Sequence, residues 1–241
     1  IQALPVLAGN AAGEGAVNWL PARDQIVRTV PLLVTASGTL SPSLSLEALR
    51  TALGETTVFV RASGGSGVLS LGQQTGIETV RVGQTVLPTM SDGQLWLNFA
   101  TPDARRYIPA HTLLDGTVSA GEIRGRHILI GASATGLLDL RATPLAPSVP
   151  GVEIHAQALE QMLQGAHLTR PPLATGAEIA FIAFAGLIVA GLIHRSGPLA
   201  AAALGATAIA AVMAASWLAF AYGGALFDPV YPSLSLLALY L

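Results

Sequence analysis

The stretch HILIGASATGLLDLRATPLAPSVPGVEIHAQALEQMLQG, residues 127–165, decides how this chain is read. Ile128 to Ile130 has the apolar character of a buried strand. Gly131 follows, where a chain leaving a strand takes a positive φ. Asp139 sits in the loop beyond it, and prolines at 144, 147 and 150 stiffen that loop. From Val152 to Leu163 the apolar residues recur at helical spacing, and Gly165 closes the helix. Strand, small-residue loop and helix N-terminus together build many anion and ligand sites, so the stretch raises a question of function as well as of fold.

Charge divides the chain in two. Residues 1–172 hold eleven of the twelve arginines and twelve of the fourteen acids, whereas 173–241 hold only Glu178, Arg195 and Asp228. Lysine is absent, and the arginines are scattered, which excludes a nucleic-acid surface. Cysteine is absent too, so neither a disulfide framework nor a thiolate metal site is available.

The apolar tail reads as membrane spans. Leu173 to Ile193 carries one charge, Glu178, and Gly197 to Tyr222 carries none. A bilayer core needs about 20 apolar residues in a helix, and soluble helices of such length keep a polar face. A third apolar run starts at Pro229 and continues to Leu241. Arg170-Pro171-Pro172 marks the boundary before the first span. The turn between the first two spans holds Arg195, and the turn before the third holds Asp228. Positive charge favours the cytoplasm, so residues 1–172 are expected outside it, with the lipid bilayer as partner of the tail. Glu178, near a span end, is expected to reach interfacial water.

Residues 1–172 read as mixed α/β: a mixed sheet with flanking helices. Strands are expected at Ala16–Leu20, Val27–Val34, Thr57–Arg61, Ile77–Val82, Thr85–Leu87 and Leu95–Phe99. A helix with Ser41 as cap, Pro42 in first position and Leu46, Leu49 and Leu53 on one face ends at Gly54. Tyr107 to Leu114 is a short helix. The run 63–67 is glycine-rich and flexible, but no Lys-Ser or Lys-Thr follows it as a phosphate loop requires.

The opening stretch offers three catalytic readings. Gly131-Ala132-Ser133-Ala134-Thr135 approximates a nucleophile elbow but has Thr135 where the motif needs glycine. Ser133, Asp139 and His155 follow the chain order of an α/β-hydrolase triad. Asp139 and His155 are also possible metal ligands, yet no third is spaced to join them. The competing reading makes His155 a hydrogen-bonded histidine at a domain edge, near the Ala158, Leu159 and Met162 face of its helix. It makes Asp139 a loop-holding carboxylate that accepts backbone N–H groups.

The order of motifs resembles the second family of CHASE domains, the cyclase- and histidine-kinase-associated sensing extracellular domains. The resemblance rests on Ile130-Gly131, Ser133-Ala134, Asp139, Thr143-Pro144, Pro150-Gly151-Val152 and His155-Ala156. Upstream, Asp24, Val27-Arg28, Pro31-Leu32 and the 42–50 helix match as well. The family often has glycine after that aspartate, where this chain has Gln25. The resemblance implies an extracytoplasmic sensor over 1–172, then spans at 173–193, 197–222 and 229–241 in a bacterial inner membrane. It implies a homodimeric longer protein with a cytoplasmic output beyond Leu241 and a first span before Ile1. That output is an adenylate cyclase, or alternatively a histidine or serine/threonine kinase, and its extracytoplasmic signal is unnamed. Asp24, Arg28, Gly131, Ser133, Asp139, Thr143, Pro144, Gly151 and His155 are the motif residues for ligand binding or coupling. No metal, cofactor or catalytic residue is expected within the chain.

Overall fold

The computed structural model describes residues 3–19, 22–36, 38–63, 76–133 and 139–240. Leu20-Pro21, most of the glycine-rich run at 63–67 and the 134–138 part of the elbow-like loop lie outside these residues. The architecture is mixed α/β with small sheets, followed by apolar helices. The one-turn helix α1 (Pro5–Ala8) precedes β1 (Thr29–Pro31), β2 (Leu33–Ala36), β3 (Thr39–Pro42) and α2 (Leu44–Ala52). Next come β4 (Val58–Ser63), β5 (Gly76–Val82), β6 (Thr85–Pro88) and β7 (Gln94–Trp96). The short helices α3 (Ala110–Leu114) and α4 (Ala120–Ile123) lead to β8 (Leu140–Arg141), β9 (Val149–Pro150) and α5 (Gly151–Gln164). The apolar helices are α6 (Ala174–Ser196), α7 (Pro198–Gly223) and α8 (Val230–Tyr240). The chain divides into two compact units, Ile1–Arg61 with Glu78–His167, and Ala62–Ile77 with Leu168–Leu241.

In the first unit, β1 pairs antiparallel with β7, setting Val30 opposite Leu95. β2 and β3 form a hairpin, and β4, β5 and β6 form a three-stranded sheet in that order. Val27, Val30, Leu32, Leu46, Leu49, Val80, Leu87, Leu95, Ile154 and Met162 are fully or almost fully buried and make the core. Helix α2 packs on α5. Ser43 caps α2, accepting from the Leu46 N–H at 3.4 Å, and Gly54 follows the C-cap at φ 68°. The expected cap, Ser41, lies instead in β3 with Pro42, because the chain first completes the hairpin with β2.

Several expected strands change. The long Val27–Val34 strand splits into β1 and β2, and Ala16–Leu20 reduces to a bridge from Ala16 to Ser43. The strand at Leu95–Phe99 ends at Trp96, and the expected Tyr107–Leu114 helix begins at Ala110. Ile128 to Ile130 is not a strand, and Ile130 is 91 % exposed. An apolar run becomes a strand only where a neighbour offers a backbone edge, and no described residue pairs with this one.

In the second unit, α6, α7 and α8 pack on one another. Ala174–Gly191 and Pro198–Gly223 are long and apolar enough to cross a membrane. Their large side chains face outward, Leu187 75 % and Leu199 85 % exposed, whereas the core helix of a water-soluble protein is buried. α8 is the shorter helix, spanning about 16 Å at 1.5 Å per residue.

Candidate functional site

Gly131, Asp139, Thr143, Pro144, Gly151 and His155 gather about the entrance to α5. Asp139 precedes β8, and the antiparallel β8–β9 pair sets Leu140 opposite Pro150 and Arg141 opposite Val149. The loop between them is closed by Thr143, which is buried. Its N–H donates to the Ala146 carbonyl at 2.8 Å, and its hydroxyl accepts from the Ala146 N–H at 3.1 Å. Pro144 sits inside that turn, which its fixed φ suits. The Gly151 N–H then donates to the Asp139 carbonyl at 2.8 Å, so the loop leads straight into the helix.

Gly151 and Gly131 are both required by close approach. A Cβ at 151 would lie 2.9 Å from Cγ of Asp139, and one at 131 would lie 2.5 Å from Cβ of Val152. The φ of Gly131 is not in the left-handed region, contrary to the expectation for that residue. Contact with α5 makes it glycine. The Asp139 side chain is 41 % exposed and 3.9 Å from the Arg141 guanidinium. Its carboxylate lies against the first residue of α5, where the free N–H groups of a helix favour negative charge. The Asp139–Gly151 hydrogen bond uses the aspartate main chain, whereas a side-chain role was expected. Ser133 is exposed.

The Asp24 turn joins this region through the backbone. Ile26 forms a parallel bridge with Ala142, and the Val27 N–H donates to the Ala142 carbonyl at 2.8 Å. Arg28 donates to both carboxylate oxygens of Asp24, at 3.0 and 2.8 Å, and the Ile26 N–H donates to Oδ1 at 3.1 Å. The Arg28 guanidinium, aided by the Ile26 N–H, holds the Asp24 carboxyl down at about 2. Gln25 takes φ 62°. The turn that glycine suits is therefore kept with a side chain in the left-handed region. Val17–Trp19, Gln25 and Leu140–Ala142 line an open cleft of about 610 Å³ beside this turn.

His155 lies behind the entrance, 2 % exposed. Nδ1 is 2.9 Å from the Ser45 hydroxyl of α2. The ring packs on Trp19 with centroids 4.2 Å apart and planes tilted by 35°. Nε2 is buried with no partner at hydrogen-bond geometry among the described residues. Burial pushes the imidazole down to about 4, the Val17 backbone opposing it more weakly. The histidine is thus neutral and joins α5 to α2. Among the described residues no hydrogen bond links Ser133, Asp139 and His155, so a triad is not assembled. No group of three metal-binding side chains is found there either.

Sequence reasoning missed the glutamines of α5. Gln161 donates to the Trp96 carbonyl at 2.7 Å and accepts from the Asn98 N–H at 2.7 Å. Gln157 repeats the pattern one turn earlier with the Ala100 carbonyl at 3.3 Å and the Ala100 N–H at 3.0 Å. It also donates to Glu153 at 2.8 Å. Two side-chain amides thus stand in for a neighbouring strand, which is why β7 ends early. Their signal in the sequence is glutamine at i and i+4 beside the buried positions Ile154, Ala158 and Met162.

The CHASE2 domain family matches residues 2–193, past Pro172 into the first apolar helix. No curated protein and no solved structure matches the chain. With 2–193 of 241 residues matched, the chain belongs to the CHASE2 domain family, which comprises extracytoplasmic sensory domains of signalling proteins.

Proposed function

We propose that this chain is the sensing and anchoring part of a signalling protein whose cytoplasmic output is a class III adenylate cyclase, working as a homodimer in a bacterial inner membrane. The observation that supports the reading is the short run between the last helix of the sensory unit and the first apolar helix. α5 ends at Gly165 in the left-handed conformation, and α6 begins at Ala174. Prolines 171 and 172 within this run limit its freedom, which favours handing a displacement of α5 on to α6.

A sensor of this kind needs no catalytic group of its own. The buried polar residues at the α5 entrance serve position: His155 ties α5 to α2, and Gln157 and Gln161 tie it to the segment after β7. The test is the full-length protein in membrane vesicles supplied with ATP. Formation of cyclic AMP and pyrophosphate, altered when residues 1–172 are deleted, is the expected result. Transfer of phosphate to a protein side chain would make the output a kinase. No use of ATP would end the cyclase reading.

A further inference from the structure

Glu178 is the one acid in α6 and, in sequence, the residue that fits an apolar span least. Its side chain is 14 % exposed, so it does not reach out to interfacial water as its position near a span end leads one to expect. Oε2 accepts from the Arg170 guanidinium at 2.7 Å, and Oε1 accepts from the Asp228 N–H at 2.8 Å. Arg170 belongs to the segment before α6, and Asp228 belongs to the turn between α7 and α8. One carboxylate therefore holds together two segments far apart in sequence.

The backbone repeats the connection. Gly224 ends α7 at φ 59°, and the chain then runs beside Thr169. The Thr169 N–H donates to the Gly224 carbonyl at 2.9 Å, and the Leu226 N–H donates to the Thr169 carbonyl at 2.8 Å. Ser216 of α7 donates to the Phe227 carbonyl at 3.0 Å. Asp228 in turn caps α8, accepting from the Val230 N–H at 2.7 Å.

We infer that the Arg170–Glu178–Asp228 node is a latch that fastens the segment entering the membrane to the α7–α8 turn, so that movement of this segment reaches α8 as well as α6. The inference rests on the sensor reading and adds a route to it. A carboxylate at the edge of an apolar bundle is costly once its cation is removed. The node therefore has two states: closed, or open with both charges drawn into water. Intermediate positions leave an unpaired charge, and this makes the joint a switch and not a spring.

Residues 1–241 hold no cysteine, so once any cysteine elsewhere in the full-length protein is replaced by serine, an introduced pair reports alone. Thr169 and Ala225 are bridge partners, and paired backbone positions lie within the reach of a disulfide. In the full-length protein in membranes, Thr169→Cys with Ala225→Cys is expected to close on mild oxidation. Closure should shift the output reversibly, with reductant restoring it. Glu178→Gln should slow closure by about fivefold or more, the factor that 1 kcal/mol supplies. Arg170→Gln, which leaves α6 untouched, should do the same, and Arg170→Lys should largely restore it. A pair that does not close, or that closes equally fast in the Gln variants, overturns the latch. A pair that closes without changing the output overturns the route to α8. Cross-linking needs no output assay, so a protein that makes no cyclic AMP overturns the cyclase proposal while the cross-linking result still decides the latch.

Discussion

α5 and α6 both bury polar side chains on faces rich in apolar ones, and they do so with different chemistry. α5 relies mainly on neutral groups, Gln157, Gln161 and the His155 imidazole, and its one buried acid, Glu153, accepts from Gln157 on the same helix. α6 uses one charge, Glu178. In both cases the side chain supplies hydrogen bonds that an irregular neighbouring segment cannot find in a strand or helix. The segment is 96–100 for α5 and the turn at Asp228 for α6. The difference lies in what happens when a partner leaves. A neutral amide leaves unpaired dipoles, a cost of about 1–3 kcal/mol per group. A charge leaves an uncompensated ion, which is costlier in apolar surroundings. α5 is thus built to stay in place, and the α6 node is built to be either shut or open.

The comparison breaks most readily at Gln161. Gln161→Ala removes the partners of two backbone groups and opens a cavity, an expected loss of about 4 kcal/mol. Tryptophan fluorescence during urea unfolding in detergent reads it, and amide exchange at Asn98 should speed up. Unchanged stability would mean that the amides do not hold the segment.

A second prediction concerns pH. The His155 pKa falls from 6.5 to about 4 on folding, so between these values the unfolded chain binds the extra proton. Stability is therefore full above pH 6.5 and declines as pH falls toward 4, by about 3 kcal/mol in all at 1.36 kcal/mol per pKa unit. His155→Gln, which keeps a partner for Ser45, should flatten this decline. An equal slope in the variant would place the acid sensitivity elsewhere.

Glycine 131 sharpens the comparison on the packing side. Gly131→Ala meets the β-branched Val152 on the helix itself and is expected to cost about 2 kcal/mol by overpacking. Gly151→Ala meets the half-exposed Asp139 side chain, which can turn away, and should cost less. The reverse order of melting temperatures would show that the helix entrance is held by Asp139 and not by Val152.

Much of this was legible from the chain itself. The α5 pattern with its closing Gly165, the apolar runs and the Gly54 stop depend on local periodicity and capping, and they fall where expected. What was not legible depends on partners distant in sequence. The Ile128–Ile130 run has strand composition, but a strand needs an edge. Gly131 carried the signature of a turn, whereas its reason is Val152 approaching from α5. Gln157 and Gln161 look like ordinary solvent-facing residues until the 96–100 backbone is brought against them. Glu178 looked like a charge near an interface until Arg170 and Asp228 were placed on either side of it.

The smallest expected effect is at Gln25. A non-glycine residue at φ 62° carries a cost of about 1–2 kcal/mol, part of which glycine returns through the greater freedom of its unfolded chain. Gln25→Gly should therefore raise stability by about 0.5 kcal/mol, seen as a small rise in melting temperature. A fall would mean that the Gln25 side chain does more for the turn than its backbone strain takes away.

The measurement closest to the central claim is the sidedness of the two regions. Because the chain lacks cysteine, a single cysteine can be placed at exposed Ser133 in the sensory unit or at Arg195, in the last turn of α6, and treated with a membrane-impermeant maleimide. In intact cells with a permeable outer envelope, Ser133→Cys should be labelled at once. Arg195→Cys should be labelled only after the inner membrane is opened. Labelling of Arg195→Cys but not Ser133→Cys in intact cells would put the sensory unit in the cytoplasm and contradict the account.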